Sequence, residues 1–142
     1  MTNKLPTKTI TMENIEEIYE YIFAPYVKQL KLSFLEIEEG RVVAKLENSK
    51  DYQFVTGAVS GQILMSVIDT TMSIAMNTSV KSQRGTLSQN NNFIRPAFGD
   101  YFIIESIVQR FGSSIAIGET KVYSESNKDK IICHATSTFP LK

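Results

Sequence analysis

The chain has 142 residues, of which 42% are hydrophobic and 21% charged, proportions ordinary for a globular protein that buries one core. Fifteen basic and fifteen acidic residues cancel, and no basic stripe is present, so a nucleic-acid partner has little electrostatic support. The single cysteine, Cys133, excludes an internal disulfide framework and favours a reducing compartment. These features predict one soluble, cytoplasmic domain over residues 1–142.

The first elements in chain order are a helix and two strands. Residues 1–10 are predicted to be a loose lead-in, without the apolar run of a signal peptide. An apolar stripe with glutamates in the first turns predicts a helix from Met12 to Phe23, ended by Pro25. Alternating apolar residues predict strands over Val27–Glu38 and Arg41–Glu47.

The stretch from Thr56 to Asn77 predicts a turn followed by one apolar helix, too short and too polar to span a membrane. At helical spacing its core face comprises Leu64, Val67, Ile68, Thr71, Ile74 and Ala75. The opposite face carries Asp69 and three methionines, Met65, Met72 and Met76, which predicts contact with a partner chain or a ligand groove. Asp69 is the only charged residue between Tyr52 and Val80. A carboxylate among apolar residues is costly unless it is hydrogen-bonded, and a chain that tolerates one usually has a use for it.

Four strands are predicted after the helix, and the last three are long with short connections. Their ranges are Arg84–Ile94, Tyr101–Phe111, Ile115–Ser124 and Lys130–Phe139. Such strands form an antiparallel meander. The whole layout therefore predicts an α+β fold in which one twisted antiparallel sheet wraps around a long central helix.

Several local matches in this order resemble the hotdog-fold acyl-CoA thioesterases, in particular the phenylacetic-acid-degradation (PaaI-like) type. The family motif reads N-x-x-G-x-x-H-G-G, and Gly57 and Gly61 hold glycine positions. The helix match at residues 67–71 places Asp69 on the family's catalytic carboxylate. Residues 90–97, NNNFIRPA, resemble N-x-x-F-x-R-P-A, and residues 135–139, ATSTF, resemble the closing strand. The resemblance implies a hotdog homodimer, or a homotetramer built as a dimer of dimers.

The chain departs from the motif at three positions. Phe54 stands at the motif asparagine, Ser60 at the motif histidine and Gln62 at the second motif glycine. Ser60, Gln62 or Thr86 could supply the replacement hydrogen bonds to the substrate carbonyl or a water. The family carries at the position of Thr86 a hydroxyl that orients the attacking water.

Thioester hydrolysis needs a base or nucleophile and a donor for the developing oxyanion. Asp69 is the predicted base or nucleophile, and the backbone N–H of Gly61 near the helix N-terminus is the predicted oxyanion donor. The two lie about 12 Å apart along one helix at 1.5 Å per residue, too far to share one carbonyl. The hypothesis therefore needs Gly61 from one chain and Asp69 from another. The alternative for Asp69 is a structural carboxylate bonded to a backbone group or a hydroxyl.

The remaining candidates have weaker patterns. Phe54, Met65 and Arg95 are predicted to contact the substrate, Arg95 (with Arg84 and Arg110) as a partner for coenzyme A phosphates. Ser60 lacks the spacing of a G-x-S-x-G nucleophile and is read as a helix cap or a substrate contact. His134, the sole histidine, is read as a surface or packed residue, and no residues have metal-ligand spacing.

The sequence thus predicts hydrolysis of an acyl-CoA-type thioester, with coenzyme A only as part of the substrate and with neither nucleic acid nor a membrane span. The alternative function is a non-catalytic hotdog dimer that binds an acyl or acyl-CoA ligand, which the missing motif residues favour. Hydration or dehydration of an acyl-CoA is a weaker reading, since hotdog enzymes of that kind use a histidine near the helix. The acyl group, and the choice between coenzyme A and a carrier protein, stay open.

Overall fold

A computed structural model describes residues 9–81, 83–125 and 127–141. Three α-helices are present in this part of the chain, α1 (Ile15–Ile22), α2 (Pro25–Lys28) and α3 (Gly61–Met76), together with a 3₁₀ turn at Lys50–Tyr52. Six strands accompany them, β1 (Leu32–Glu38), β2 (Arg41–Glu47), β3 (Ser88–Phe93), β4 (Tyr101–Phe111), β5 (Ile115–Ser124) and β6 (Ile131–Pro140). No helix within the described ranges is both long enough and apolar enough to cross a membrane.

All six strands belong to one antiparallel sheet in the order β1-β2-β4-β5-β6-β3. The predicted meander is confirmed as β4-β5-β6, whereas β3 lies beyond β6 at the far edge. Helix α3 packs against one face of the sheet and contacts every strand. The predicted α+β hotdog architecture, a sheet wrapped around one long helix, is therefore confirmed.

Helix α3 begins at a serine cap and satisfies its own interior hydroxyls. The Ser60 Oγ accepts the N–H of Ile63 at 3.4 Å. Ser66, Thr70 and Thr71 each donate their hydroxyl to the backbone carbonyl four residues earlier, at 2.7 to 2.9 Å. Because these side chains need no other partner, a helix containing several polar residues can lie inside the sheet.

The predicted core face of α3 is buried throughout, but the prediction that all three methionines are open to a partner is wrong. Met72 and Met76 are completely buried, and only Met65 is exposed, at 38%. The sheet curves over this side of the helix as well, and Gly118 on β5 makes room for Met72. A Cβ atom at Gly118 would collide with the end of the Met72 side chain.

Several boundaries differ from those predicted. Val27 lies in α2 rather than in a strand, because Pro25 occupies the first helical turn, where its fixed φ is favourable. Helix α1 begins at Ile15 rather than Met12, since Asn14 accepts the Thr11 N–H. Strand β3 is shorter than predicted and starts at Ser88. Most of the predicted lead-in, residues 1–8, lies outside the described residues.

Candidate active site

Two of the depressions that border the N-terminal half of α3 contain predicted site residues. The first, which we call the polar pocket, has a volume of about 450 Å³ and is lined by Gln62, Met65, Ser66, Asp69, Thr86, Gln89 and Asn91. The second, which we call the apolar cavity, has a volume of about 490 Å³; its lining includes Gly61, Phe54, Phe93, Ile94, Arg95 and Phe98. Asp69 and Gly61 therefore line different depressions within one chain.

Among the residues that the structure describes, Asp69 is the only charged one in the lining of the polar pocket, and it is partly buried. The hydroxyl of Thr86 donates a hydrogen bond to Asp69 Oδ1 at 2.5 Å. This bond joins α3 to the segment that leads into β3. The carboxylate is thus held in place by a neutral donor while its pocket remains open to a ligand.

Thr86 reaches Asp69 because it lies outside the strand in which the sequence placed it. Alternation along the predicted strand Arg84–Ile94 would place Thr86 on one strand face with Ser88, Asn90 and Asn92. In the structure Asn90 is paired with Thr136 on β6, and the neighbouring Ala135 is buried beneath α3, so Asn90 faces away from the helix. The chain reaches the sheet only at Ser88, which frees Thr86 to turn toward α3.

Two residues of the polar pocket, Gln89 and Asn91, were missed by the sequence analysis. The Gln89 side-chain amide donates to the Met65 carbonyl at 3.2 Å and to Asn91 Oδ1 at 3.0 Å. The period-two alternation of β3 does put these residues on the face opposite Asn90. What the sequence did not reveal was which of the two polar faces meets the helix.

Gly61 is the first residue of α3, where N–H groups have no acceptor within the helix. The ring of Phe93 lies directly over it, and a Cβ atom at Gly61 would approach the Phe93 ring within 3.2 Å. Any larger residue would displace this ring, so glycine permits the close approach. Phe54, Phe93 and Phe98 are each about half exposed, which leaves an aromatic rim around the apolar cavity.

A comparison with known protein families matches the thioesterase superfamily model to residues 56–131, just over half of the chain. This chain belongs to the thioesterase superfamily. The matched segment runs from the turn before α3 to the start of β6, and it contains the whole lining of the polar pocket and that of the apolar cavity apart from Phe54.

Individual relatives agree with this assignment. A Saccharolobus solfataricus protein named "Putative esterase SSO2140" is 28% identical over 115 residues, which cover 80% of this chain and 81% of the relative. The thioesterase HI1161 from Haemophilus influenzae superposes with a TM-score of 0.81 at 20% identity, covering 98% of this chain and 95% of its own. The E. coli PaaI protein superposes with a TM-score of 0.80 at 18% identity, and the match covers 92% of this chain and 91% of the PaaI chain. These structures show that the fold is shared.

The other predicted site residues of this thioesterase-superfamily chain fall into three places. Gln62 and Met65 line the polar pocket with Asp69, and Phe54 and Arg95 line the apolar cavity with Gly61. The Arg95 guanidinium donates to the Ile131 carbonyl at 2.7 Å. Ser60 is the N-cap of α3 and belongs to the lining of neither depression. Its substrate contact stays a prediction.

His134 lies on the sheet face turned away from α3. It is opposite Asn92 on β3, and its Nε2 atom is 3.3 Å from the Glu119 carboxylate. This surface pairing agrees with its reading as a non-catalytic residue. Within the described ranges, no group of three or more histidine, cysteine, aspartate and glutamate side chains is arranged to hold a metal ion.

Proposed function

We propose that the protein hydrolyses an acyl-CoA-type thioester at a site formed between two copies of the chain. Membership of the thioesterase superfamily supports thioester hydrolysis as the general class of reaction. The observation that carries the proposal is the Thr86–Asp69 hydrogen bond, which holds a lone carboxylate at an open pocket on the central helix.

Asp69 acts on the thioester carbonyl either through a water or directly. As a base, its Oδ2 takes a proton from a water whose oxygen attacks the carbonyl carbon; as a nucleophile, the same oxygen attacks and forms an anhydride that water then cleaves. In both routes the carbon–sulfur bond breaks and the thiol leaves. Thr86 engages Oδ1, so it fixes the carboxylate and leaves Oδ2 for the reaction.

The oxyanion donor is the Gly61 N–H of the second copy. The two groups lie eight residues apart on α3, about 12 Å at the helical rise, so one chain cannot bring both to one carbonyl. Strand β3 is the last strand of the sheet in the described part of the chain, and no described strand pairs with its outer edge, which could accept a strand from another copy. The half-exposed rings of Phe54, Phe93 and Phe98 beside it are the apolar surface that a second copy and an acyl group would cover.

The test is a panel of acyl-CoA thioesters assayed with the wild type and with Asp69→Asn. We expect turnover by the wild type and a loss of at least about 100-fold in kcat for the variant, because the base or nucleophile is removed. Asp129→Asn, a change at an exposed turn, is the matched control and should keep full activity. Equal turnover by Asp69→Asn and the wild type would remove Asp69 from the mechanism.

The alternative is a non-catalytic hotdog dimer that binds the same ligands. Phe54 and Ser60 at the motif asparagine and histidine positions favour it. Calorimetry separates the two functions, since binding of acyl-CoA without turnover supports the alternative. Sedimentation equilibrium tests the dimer on which both depend, and a monomer at micromolar concentration would contradict the shared site.

A further inference from the structure

Gln89 and Ser137 form a directly opposed pair on strands β3 and β6. Ser137 is only 2% exposed and Gln89 is partly buried, and both face α3. The Cβ atoms of opposed residues in an antiparallel pair lie about 5 Å apart. These two polar side chains therefore lie side by side beneath the helix, and Gln89 also lines the polar pocket.

Each side chain carries a buried oxygen that lacks a hydrogen bond. Gln89 Oε1 and Ser137 Oγ are both inaccessible to solvent and have no hydrogen-bond partner among the described residues. Leaving such a group unsatisfied destabilises the folded state, and buried polar atoms in folded proteins are nearly always paired. Two unpaired atoms on facing residues indicate one shared partner.

The orientation of the Gln89 amide is fixed by its other contacts. Its nitrogen donates to the Met65 carbonyl and to Asn91 Oδ1. A reversed amide would set Oε1 against the Met65 carbonyl oxygen, two acceptors facing each other. Gln89 Oε1 therefore points away from the Met65 carbonyl and is free to accept a hydrogen bond from a different group.

On the side of Ser137 away from Gln89, the directly opposed position carries no polar side chain. There the opposed residue on β5 is Gly118, and Met72 fills the space that a side chain would take. A thioether sulfur is at best a weak acceptor. The nearby buried hydroxyl on this face of β5, that of Thr120, is already paired with Ser106 at 2.7 Å. Gln89 Oε1 is therefore the unpaired polar atom on the residue that directly opposes Ser137.

We propose that one buried water molecule bridges Gln89 Oε1 and Ser137 Oγ, and that Gln89 held in this way is a positioning residue for Asp69. The link to Asp69 is the Met65 carbonyl, which in an α-helix also accepts the Asp69 N–H. The Gln89 side chain therefore connects the turn of α3 that carries Asp69 to strand β3. The water fixes the same amide by donating a hydrogen bond to its oxygen, Oε1. The positioning role rests on the proposed hydrolysis; the water site does not.

A crystal structure tests the water directly. We expect a solvent peak within about 3.2 Å of both Gln89 Oε1 and Ser137 Oγ. Direct contact between the two oxygens, or a space without density, overturns the bridge.

The sign of one stability change provides an independent test. Ser137→Ala removes a partner of the bound water, so we expect the Tm to fall by about 3 °C. Without the water, the same change deletes an unsatisfied hydroxyl and the Tm would rise. Ser88→Ala, on the exposed face of β3, is the matched control and should leave the Tm within about 1 °C.

The positioning role is tested with Gln89→Leu, which removes both donors and the acceptor. We expect kcat on the best acyl-CoA substrate to fall by about 10- to 100-fold with KM nearly unchanged, because Asp69 loses its alignment. Gln109→Leu on the exposed part of β4 is the control and should keep kcat. A lower Tm with unchanged kcat would reduce Gln89 to a structural residue and overturn the role.

These outcomes separate the inference from the proposed function. If the wild type shows no turnover, hydrolysis fails, while the solvent peak and the Tm sign still decide the water site. The positioning role is then decided by the crystal structure of Gln89→Leu. Asp69 Oδ1 should move out of hydrogen-bond range of Thr86, and an unmoved Asp69 contradicts the role.

Discussion

The two halves of α3 differ in how completely the sheet covers them. In the half from Gly61 to Asp69, the side chains of Gln62, Met65, Ser66 and Asp69 reach the polar pocket. In the half from Thr70 to Met76, every residue except Ser73 is buried. We call residues Thr70–Met76 the anchored half of α3, because packing buries them, and residues Gly61–Asp69 the open half, because several of their side chains line the polar pocket. Stability and chemistry should therefore be separable by mutation along this helix.

The difference arises from what the sheet presents to each half. Beneath the anchored half, Gly118 on β5 lets Met72 pack against the backbone of the sheet. Beside the open half, β3 presents the polar side chains of Gln89 and Asn91. Burying these polar side chains in an apolar contact with the helix would be costly, so the helix and the edge strand do not close together and the pocket stays open.

The largest effect is expected from Gly118→Ala in the anchored half. The new methyl group must displace Met72, and overpacking of this kind costs about 2 kcal/mol. We expect the free energy of unfolding, measured by urea denaturation, to fall by that amount while kcat at 20 °C is retained. Gly118→Ala combined with Met72→Val should recover part of the loss, since the shorter side chain leaves room. A loss of activity without a loss of stability would show that the two halves are not separable.

The sequence was informative about long, regularly patterned elements. The predicted bounds of β2, β4 and β5 are confirmed, because each is a run of residues with strand preference that ends at turn residues. The core face of α3 is confirmed because its apolar residues recur at helical spacing. A helical wheel cannot show how far a sheet curves around the helix, and so Met72 and Met76 were assigned to an open surface when they are core residues.

The site was only partly predictable. Asp69, Gln62, Met65 and Thr86 do line one pocket, although the strand pattern gave a wrong face for Thr86. Gln89 was missed, because β3 is polar on both faces and the sequence gives no preference for either. The pairing with β6, set by contacts distant in sequence, decides which face meets the helix.

A smaller effect is expected from Thr86→Val in the open half. Valine keeps the shape of threonine but removes the hydroxyl that donates to Asp69 Oδ1. We expect kcat to fall by about tenfold, a loss of about 1.4 kcal/mol in transition-state stabilisation, while the Tm stays within about 2 °C. Thr86→Ser keeps the donor and should retain most of the activity. Equal kcat for all three proteins would show that the hydrogen bond does not serve catalysis.

The smallest effect concerns Cys133, which lies on β6 in the core beneath the open half, with Val67 and Ile68. Burial raises the pKa of this thiol to about 11 from an ordinary value of 9.0. The unfolded chain therefore loses the proton first, so folding stability is complete below about pH 9 and declines as the pH rises toward 11. At pH 10 the decline attributable to this group is about 1 kcal/mol.

Urea unfolding of the wild type and Cys133→Ala at pH 7.5, 9 and 10 measures this contribution. Tyr19, whose pKa burial raises to about 12, titrates in both proteins and cancels from the difference. We expect the stability advantage of the wild type over the variant to shrink between pH 9 and 10. If the difference in unfolding free energy between the two proteins stays constant with pH, the thiol is accessible to solvent. Water would then reach the side of the open half that faces the sheet as well as the polar pocket.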